Sequence, residues 1–238
     1  MVKKRLISLA VLACVSSPLA LGCEVSPSYS NVLSLLPVDQ NIELMKKKDI
    51  EQLLTTRWDY SMPLLDEKKA EFEVYSCAEL LSSYQNSNPL SQADKPWVDA
   101  VHLNCKLAEA SLSLTSSEQT FVAELKLDDK FPSIAPSDFL LSISDESQAK
   151  VSASNNWSDV AKITQVNIID STTTEFRDDT GSIQRMSVIW KGDFNQDGFE
   201  DALVYASNSV EGGSYQSQVG YVITRKSAND TYSIIETF

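Results

Sequence analysis

Histidine is nearly absent from this chain: His102 is the only one among 238 residues. Zinc sites built on imidazole therefore have almost no material. A Ser-His-Asp mechanism would have to run through this one side chain, and no Gly-x-Ser-x-Gly elbow is present to pair with it. His102 stands one helical turn from Val98 and close to Cys105, at the edge of an apolar face, where a core or boundary histidine belongs. There is no Cys-x-x-Cys pair, which argues against a cysteine metal site. Basic residues are also scarce, with 20 Lys and Arg against 33 Asp and Glu and a formal net charge of -13. That balance argues against nucleic acid and against a surface drawn to anionic lipid. Gly212-Gly213-Ser214 is not followed by the Lys-Ser/Thr of a phosphate loop, so it reads as a plain connector. Beyond the first residues, no apolar stretch is long enough to span a bilayer.

The first residues do carry an address. Lys3, Lys4 and Arg5 form a basic start, Leu6 to Val15 is a short apolar run, and Ala20-Leu21-Gly22 is a small-residue cleavage site. Cys23 follows at once. This order resembles a bacterial lipoprotein signal. The resemblance implies that residues 1–22 are removed and that Cys23 becomes an N-terminus carrying acyl chains such as palmitate. Ala20 stands where that pattern more often has Leu, which leaves ordinary cleavage before Cys23 open. The segment holds three basic residues and no acidic one, so the remainder is still more acidic. Any membrane attachment would be through the lipid alone. Residues 23–37, rich in Ser and Pro, read as a flexible tether that clears the bilayer. A disordered N-terminus would look the same.

Of the four cysteines, Cys14 leaves with the signal and Cys23 takes the lipid, so Cys77 and Cys105 remain as one pair. An oxidising periplasm predicts a disulfide between them. Two buried free thiols are the alternative. Cys–His catalysis is possible on paper, but both cysteines look structural.

Residues 38–127 read as helical. Asp49 is placed to cap a helix carrying Ile50, Leu53, Leu54 and Trp58. Ser76 with Glu79 forms a capping box before Cys77, Leu80, Leu81 and Tyr84. Pro96 opens the longest helix, whose apolar face is Trp97/Val98, Val101, Cys105, Ala108 and Leu112. Ser116 with Gln119 suggests another capped start leading to Phe121, Val122 and Leu125. A bond between Cys77 and Cys105 would stabilise two packed helices by roughly 2–4 kcal/mol. Residues 128–160, with Pro132, Pro136 and a polar Ser/Asn-rich run, read as a connecting segment.

Residues 161–238 read as strands. Ile163 to Ile169, Gln184 to Trp190, Ala202 to Ala206, Gln218 to Thr224 and Tyr232 to Glu236 are the candidates. Short links between five strands predict an antiparallel meander. The expected class is α+β: disulfide-linked helices followed by an antiparallel sheet.

Between the second and third of those strands runs Asp193-Phe194-Asn195-Gln196-Asp197-Gly198-Phe199-Glu200-Asp201. Asp193, Asn195 and Asp197 alternate, so their oxygens can converge on one point. Gly198 permits the sharp turn such a loop needs. The Phe199 carbonyl adds a backbone oxygen and Asp201 closes the ring. Hard oxygen donors of this kind suit calcium better than zinc or magnesium. An EF-hand loop would need a bidentate Glu at the twelfth position, which here is Val204, and the flanks are strand-like. The pattern resembles instead the strand–loop–strand calcium sites of FG-GAP and VCBS-type repeats. By that resemblance Asp193, Asn195, Asp197, Asp201 and the Phe199 carbonyl are the ligands of a structural calcium. Those repeats normally build propellers in arrays, but no second copy occurs here, so a propeller is not expected. A turn that binds nothing is the alternative, because Asn, Asp and Gly favour turns in any case.

Together these features predict a lipid-anchored protein of the bacterial cell envelope. It would be non-catalytic, would hold one structural calcium, and would bind an envelope protein or glycan. A periplasmic hydrolase acting on envelope material through unidentified carboxylates is the competing expectation.

Overall fold

The computed structural model describes Ser26, Ser28–Tyr29 and residues 46–238. The expected signal peptide, the lipidated Cys23 and most of the tether lie outside the described residues.

The organising element is a meander of antiparallel strands: β5 (Ile163–Ile168), β6 (Thr173–Asp178), β7 (Ser182–Gly192), β8 (Asp201–Val210), β9 (Gln216–Thr224) and β10 (Ser233–Thr237). They lie in the order β10-β9-β8-β7-β6-β5, so each strand pairs with its neighbour in sequence. The sheet is open, not closed into a barrel or repeated as a propeller. A short strand, β1 (Ser28–Tyr29), pairs with Lys191 and Trp190 of β7, so part of the stretch read as a tether is docked on the sheet.

Side chains on successive strand residues point to opposite faces, and both faces of this sheet are covered. Leu203, Tyr205 and Val222 face one core with Ile189 and Trp190. Ala202, Val204, Ala206 and Ile223 face the other with Met186. A bulge between Val188 and Trp190 inserts one residue. Ile189 and Trp190 can therefore both enter the first core although they are adjacent.

The first core is covered by α1 (Lys47–Thr55), α2 (Cys77–Ser83) and α3 (Lys95–Ala110), with a small sheet of β3 (Glu71–Val74), β2 (Met62–Asp66) and β4 (Ser87–Pro89) beside them. The disulfide between Cys77 and Cys105 joins α2 to α3, and both cysteines are buried in this core. Helices and sheet thus share one core. The capping box at α2 forms with a variation: Ser76 Oγ accepts from Glu79 N, whereas the Glu79 carboxylate reaches past Ser76 to Tyr75 N (2.6 Å). At α1 the cap is Lys46, and Asp49 acts from the third helical position by accepting from Lys46 N (2.9 Å).

Three expectations need correction. The stretch 38–127 is not wholly helical: β2 (Met62–Asp66), β3 (Glu71–Val74) and β4 (Ser87–Pro89) interrupt it. Phe121 to Leu125 is not a helix either, because residues 115–119 pair with the acidic loop and tertiary hydrogen bonds override the local capping signal. The segment 128–160 is more than a connection. It contains α4 (Phe131–Ile134), α5 (Asp145–Ser152) and α6 (Trp157–Val160), and covers the second face with Phe131, Phe139 and Trp157. The strand β6 went unrecognised because Phe176 is its only large apolar residue; its Glu175 is held by Arg177 (2.9 Å) and Arg185 (3.2 Å).

Gly220 lies where α3 crosses β9. A Cβ there would fall 2.5 Å from the Leu107 side chain, which is itself buried. Replacing Gly220 with Val should destabilise the fold by roughly 1–3 kcal/mol through overpacking. Urea denaturation of the variant beside the parent checks this, and coincident midpoints would contradict it.

Candidate cation loop

The acidic loop closes the β7–β8 hairpin, whose last ladder pair is Gly192 with Asp201. Two positions take a left-handed backbone: Gln196 (φ 61°) and Gly198 (φ 84°). The second is the turn that glycine was expected to permit. Carboxylate and amide oxygens hold the loop from within. Asp193 accepts from Asp197 N (3.2 Å) through Oδ1 and from Gly198 N (2.8 Å) through Oδ2. Asn195 Oδ1 also accepts from Asp197 N (3.0 Å), and Asp197 Oδ1 accepts from Phe199 N (3.0 Å). Asp197 Oδ2 receives Asn195 Nδ2 (3.2 Å) and Lys226 Nζ (2.9 Å).

Asp201 is different. Its Oδ2 accepts from Phe194 N (3.0 Å), but its Oδ1 is buried with no hydrogen-bond partner. The nearby Thr224 hydroxyl is also buried without a partner in hydrogen-bonding geometry. Burial pushes the Asp201 carboxyl up to about 6. The Thr224 hydroxyl and the Phe194 N–H act against this rise, whereas the negative charges of Asp197 and Asp193 add to it. Burial acts upward on Asp197 too, but Lys226, the Phe199 N–H and Asn195 outweigh it and hold that carboxyl below the usual range.

A strap that the sequence did not reveal grips the loop from outside. Thr115 and Asp193 exchange both backbone hydrogen bonds (3.0 Å each). Glu118 N and Gln119 N donate to Gly198 O (2.8 and 3.0 Å), and Glu200 N donates to Gln119 O (2.8 Å). Thr120 Oγ1 donates to Glu200 Oε2. Lys191 donates to the carbonyls of Val122 and Ala123 (2.8 Å each), with the Glu200 charge acting on it. Lys226 is the cation paired with Asp197, and sequence inspection missed it because it arrives from the β9–β10 connection.

The expected ligands are therefore neighbours: Asp193, Asn195 and Asp197 share hydrogen bonds, and Asp201 is tied to the loop through Phe194 N. They are not a preformed cage. Among the described residues no three His, Cys, Asp or Glu side chains are gathered to hold a metal ion as they stand. The donor chemistry nonetheless fits a hard divalent cation, with three carboxylates, one carboxamide and the Phe199 carbonyl. The orphaned Asp201 Oδ1 is the atom such an ion would satisfy.

His102 is half-buried and stacks on Tyr84 (3.5 Å between centroids, 3° between planes). Tyr84 in turn donates to Asp99 (2.7 Å). The sulfurs of Cys77 and Cys105 are bonded to each other, so neither offers His102 a free thiol.

Comparison with known protein families, characterised proteins and solved structures returns no match.

Burial and then the charge of Lys106 lower the His102 pKa from 6.5 to about 4, with Asp99 acting the other way. The folded chain then binds fewer protons than the unfolded chain between those values. This contribution to stability is complete above pH 6.5 and is lost as pH falls towards 4. Melting temperatures of the parent and His102→Gln should converge or cross over that window, and curves that stay parallel would contradict the assignment.

Proposed function

We propose that this chain is a non-catalytic, lipid-anchored protein of the bacterial cell envelope whose acidic hairpin loop holds one structural calcium ion. The observation that carries the calcium reading is the buried, unpartnered Oδ1 of Asp201 at the base of a loop already rich in oxygen donors. Leaving a charged oxygen buried without a partner is costly, and a divalent cation removes that cost. Asp193, Asn195, Asp197, Asp201 and the Phe199 carbonyl would hold it. The ion would supply no chemistry beyond its charge, since the loop's own oxygens fill its coordination.

The lipid anchor rests on the sequence pattern around Cys23. The docking of Ser28–Tyr29 beside Trp190 and Lys191 gives it a geometric consequence. Five Cα-to-Cα steps lead from Cys23 to Ser28, a reach of at most roughly 17 Å. The cation-loop end of the sheet would then face the membrane. The far ends of β8 and β9 would face away from it. Among the described residues no helix is long and apolar enough to cross a membrane.

Calorimetric titration of the chain lacking residues 1–23 tests the ion. One-site calcium binding, lost in Asp193→Ala, is expected, with a Kd that can be as weak as ~10⁻⁴ to 10⁻³ M. No heat at millimolar calcium would reduce the loop to a turn. The anchor is tested separately by expressing the full chain in bacteria with labelled palmitate. Label on the parent and its loss in Cys23→Ser, with release to the soluble fraction, are expected. An unlabelled, soluble parent would refute lipidation.

A further inference from the structure

At the end of the sheet opposite the acidic loop, a cavity of about 570 Å³ opens between the first half of α3 and the start of β9. Pro96, Trp97, Asp99, Asn104, Gln216 and Gln218 line it. Its size is that of a small-ligand site, within the range of roughly 300–1,000 Å³. The cavity lies where α3 and β9 run on past their contact at Leu107 and Gly220.

Asn104 is the informative residue. It is only 3% exposed as a whole residue, it lines the cavity, and its amide is not among the buried polar groups that lack a partner. Its donor and acceptor therefore open onto the cavity, where a ligand can use them. Gln216 and Gln218 bring two further amides, and each offers a donor and an acceptor. Two exposed aromatic side chains belong to this cavity: Trp97 (41%) is in its wall, and Tyr60 (43%) lies 5.8 Å from Trp97. Leaving large aromatic faces in water is unfavourable, so their clustering points to something that covers them.

Charge narrows the ligand further. No Lys or Arg lines the cavity. The one carboxylate, Asp99, is already engaged by the Tyr84 hydroxyl (2.7 Å) and Lys95 Nζ (2.5 Å). The remaining groups are neutral amides beside an apolar ring face. They match a ring with adjacent hydroxyls at its edge and C–H groups on its face, which packs on the electron-rich face of an indole.

We propose that this cavity binds a neutral saccharide ring, stacked on Trp97 and hydrogen-bonded by the amides of Asn104, Gln216 and Gln218. The proposal deepens the reading of the chain as an envelope binding protein. It does not use the acidic loop, which lies the length of β8 away, roughly 30 Å for ten strand residues.

The test is titration of the detergent-solubilised full chain with glucose, N-acetylglucosamine and its trimer, with trialanine as a neutral peptide control. Trp58, Trp157 and Trp190 are buried, so a change in tryptophan emission reports on Trp97. A saturable change with at least one saccharide is expected, with a Kd below ~10 mM and no change on adding EDTA. Asn104→Leu should stay folded, because it trades a cavity-facing amide that makes no structural hydrogen bond for an apolar group of similar size. It should weaken binding at least ~10-fold, as should the exposed change Gln218→Ala. Trp97→Ala, read by calorimetry, should abolish binding. No saturable response to any saccharide, an equal response to trialanine, or unaltered binding in Gln218→Ala and Trp97→Ala would overturn the proposal. Recovery of the trimer intact is expected. Its cleavage would leave the saccharide assignment standing and overturn the non-catalytic reading, so the two fail separately.

Discussion

Asp201 stands where the β7–β8 ladder ends and the acidic loop begins, with one carboxylate oxygen buried and unpartnered. The strand it opens carries both cores, since Ala202, Val204 and Ala206 face one side while Leu203 and Tyr205 face the other. A slip of one residue in the hairpin would exchange those faces. The loop that fixes the hairpin's closure therefore fixes the alignment of the whole sheet. A second segment of chain, residues 115–120, is committed to gripping that loop through backbone hydrogen bonds. Concentrating three carboxylates at such a point raises the energy of the folded state. Lys226 offsets part of this at Asp197, but Asp201 Oδ1 has only the Thr224 hydroxyl nearby and no partner in hydrogen-bonding geometry. The proposed calcium ion would resolve that imbalance from within the oxygen-rich loop.

The two ends of the sheet differ in character. The loop end is acidic, strapped and adjacent to the docked Ser28–Tyr29 strand. The other end has the α3–β9 cavity, with exposed aromatic and amide side chains. The disulfide-linked helices connect the two, because α3 both lines the cavity and packs its Leu107 on Gly220 of β9. If, as proposed, the protein is tethered at one end and binds ligand at the other, it would need a stiff body between them. The disulfide and a sheet covered on both faces would provide it.

Much of this architecture was legible in the sequence. The C-terminal strands announced themselves by β-branched runs, and the turn at Gly198 by its residue type. The Cys77–Cys105 pair followed from the cysteine count and an expected oxidising compartment, and their apolar helical faces made it geometrically reasonable. What escaped notice had non-local causes. Residues 115–120 mimic a helix start, because Ser116 and Gln119 have capping-box spacing, yet their backbone groups pair with residues nearly eighty positions away. β6 is stabilised by partners on both sides and by the arginines around Glu175, not by its own apolar content. Trp157 stands alone as an apolar residue in a polar run, yet it is completely buried against Phe176. The ligand set of the loop could be read from spacing, whereas Lys226 and Thr224 come from other elements and no spacing rule finds them. The cavity was invisible for the same reason: Asn104 and Gln218 meet only in three dimensions.

The most direct test of the central claim is thermal melting of the parent and Asp201→Asn, each with and without calcium. For a site of Kd ~1 mM, ~10 mM calcium should stabilise the parent by about 1.4 kcal/mol, or roughly 3–6 °C. Without calcium, Asp201→Asn should melt no lower than the parent, because a neutral amide relieves the buried charge, and calcium should no longer raise its melting point. Equal melting of the parent with and without the ion, or an undiminished calcium effect in Asp201→Asn, would contradict the account.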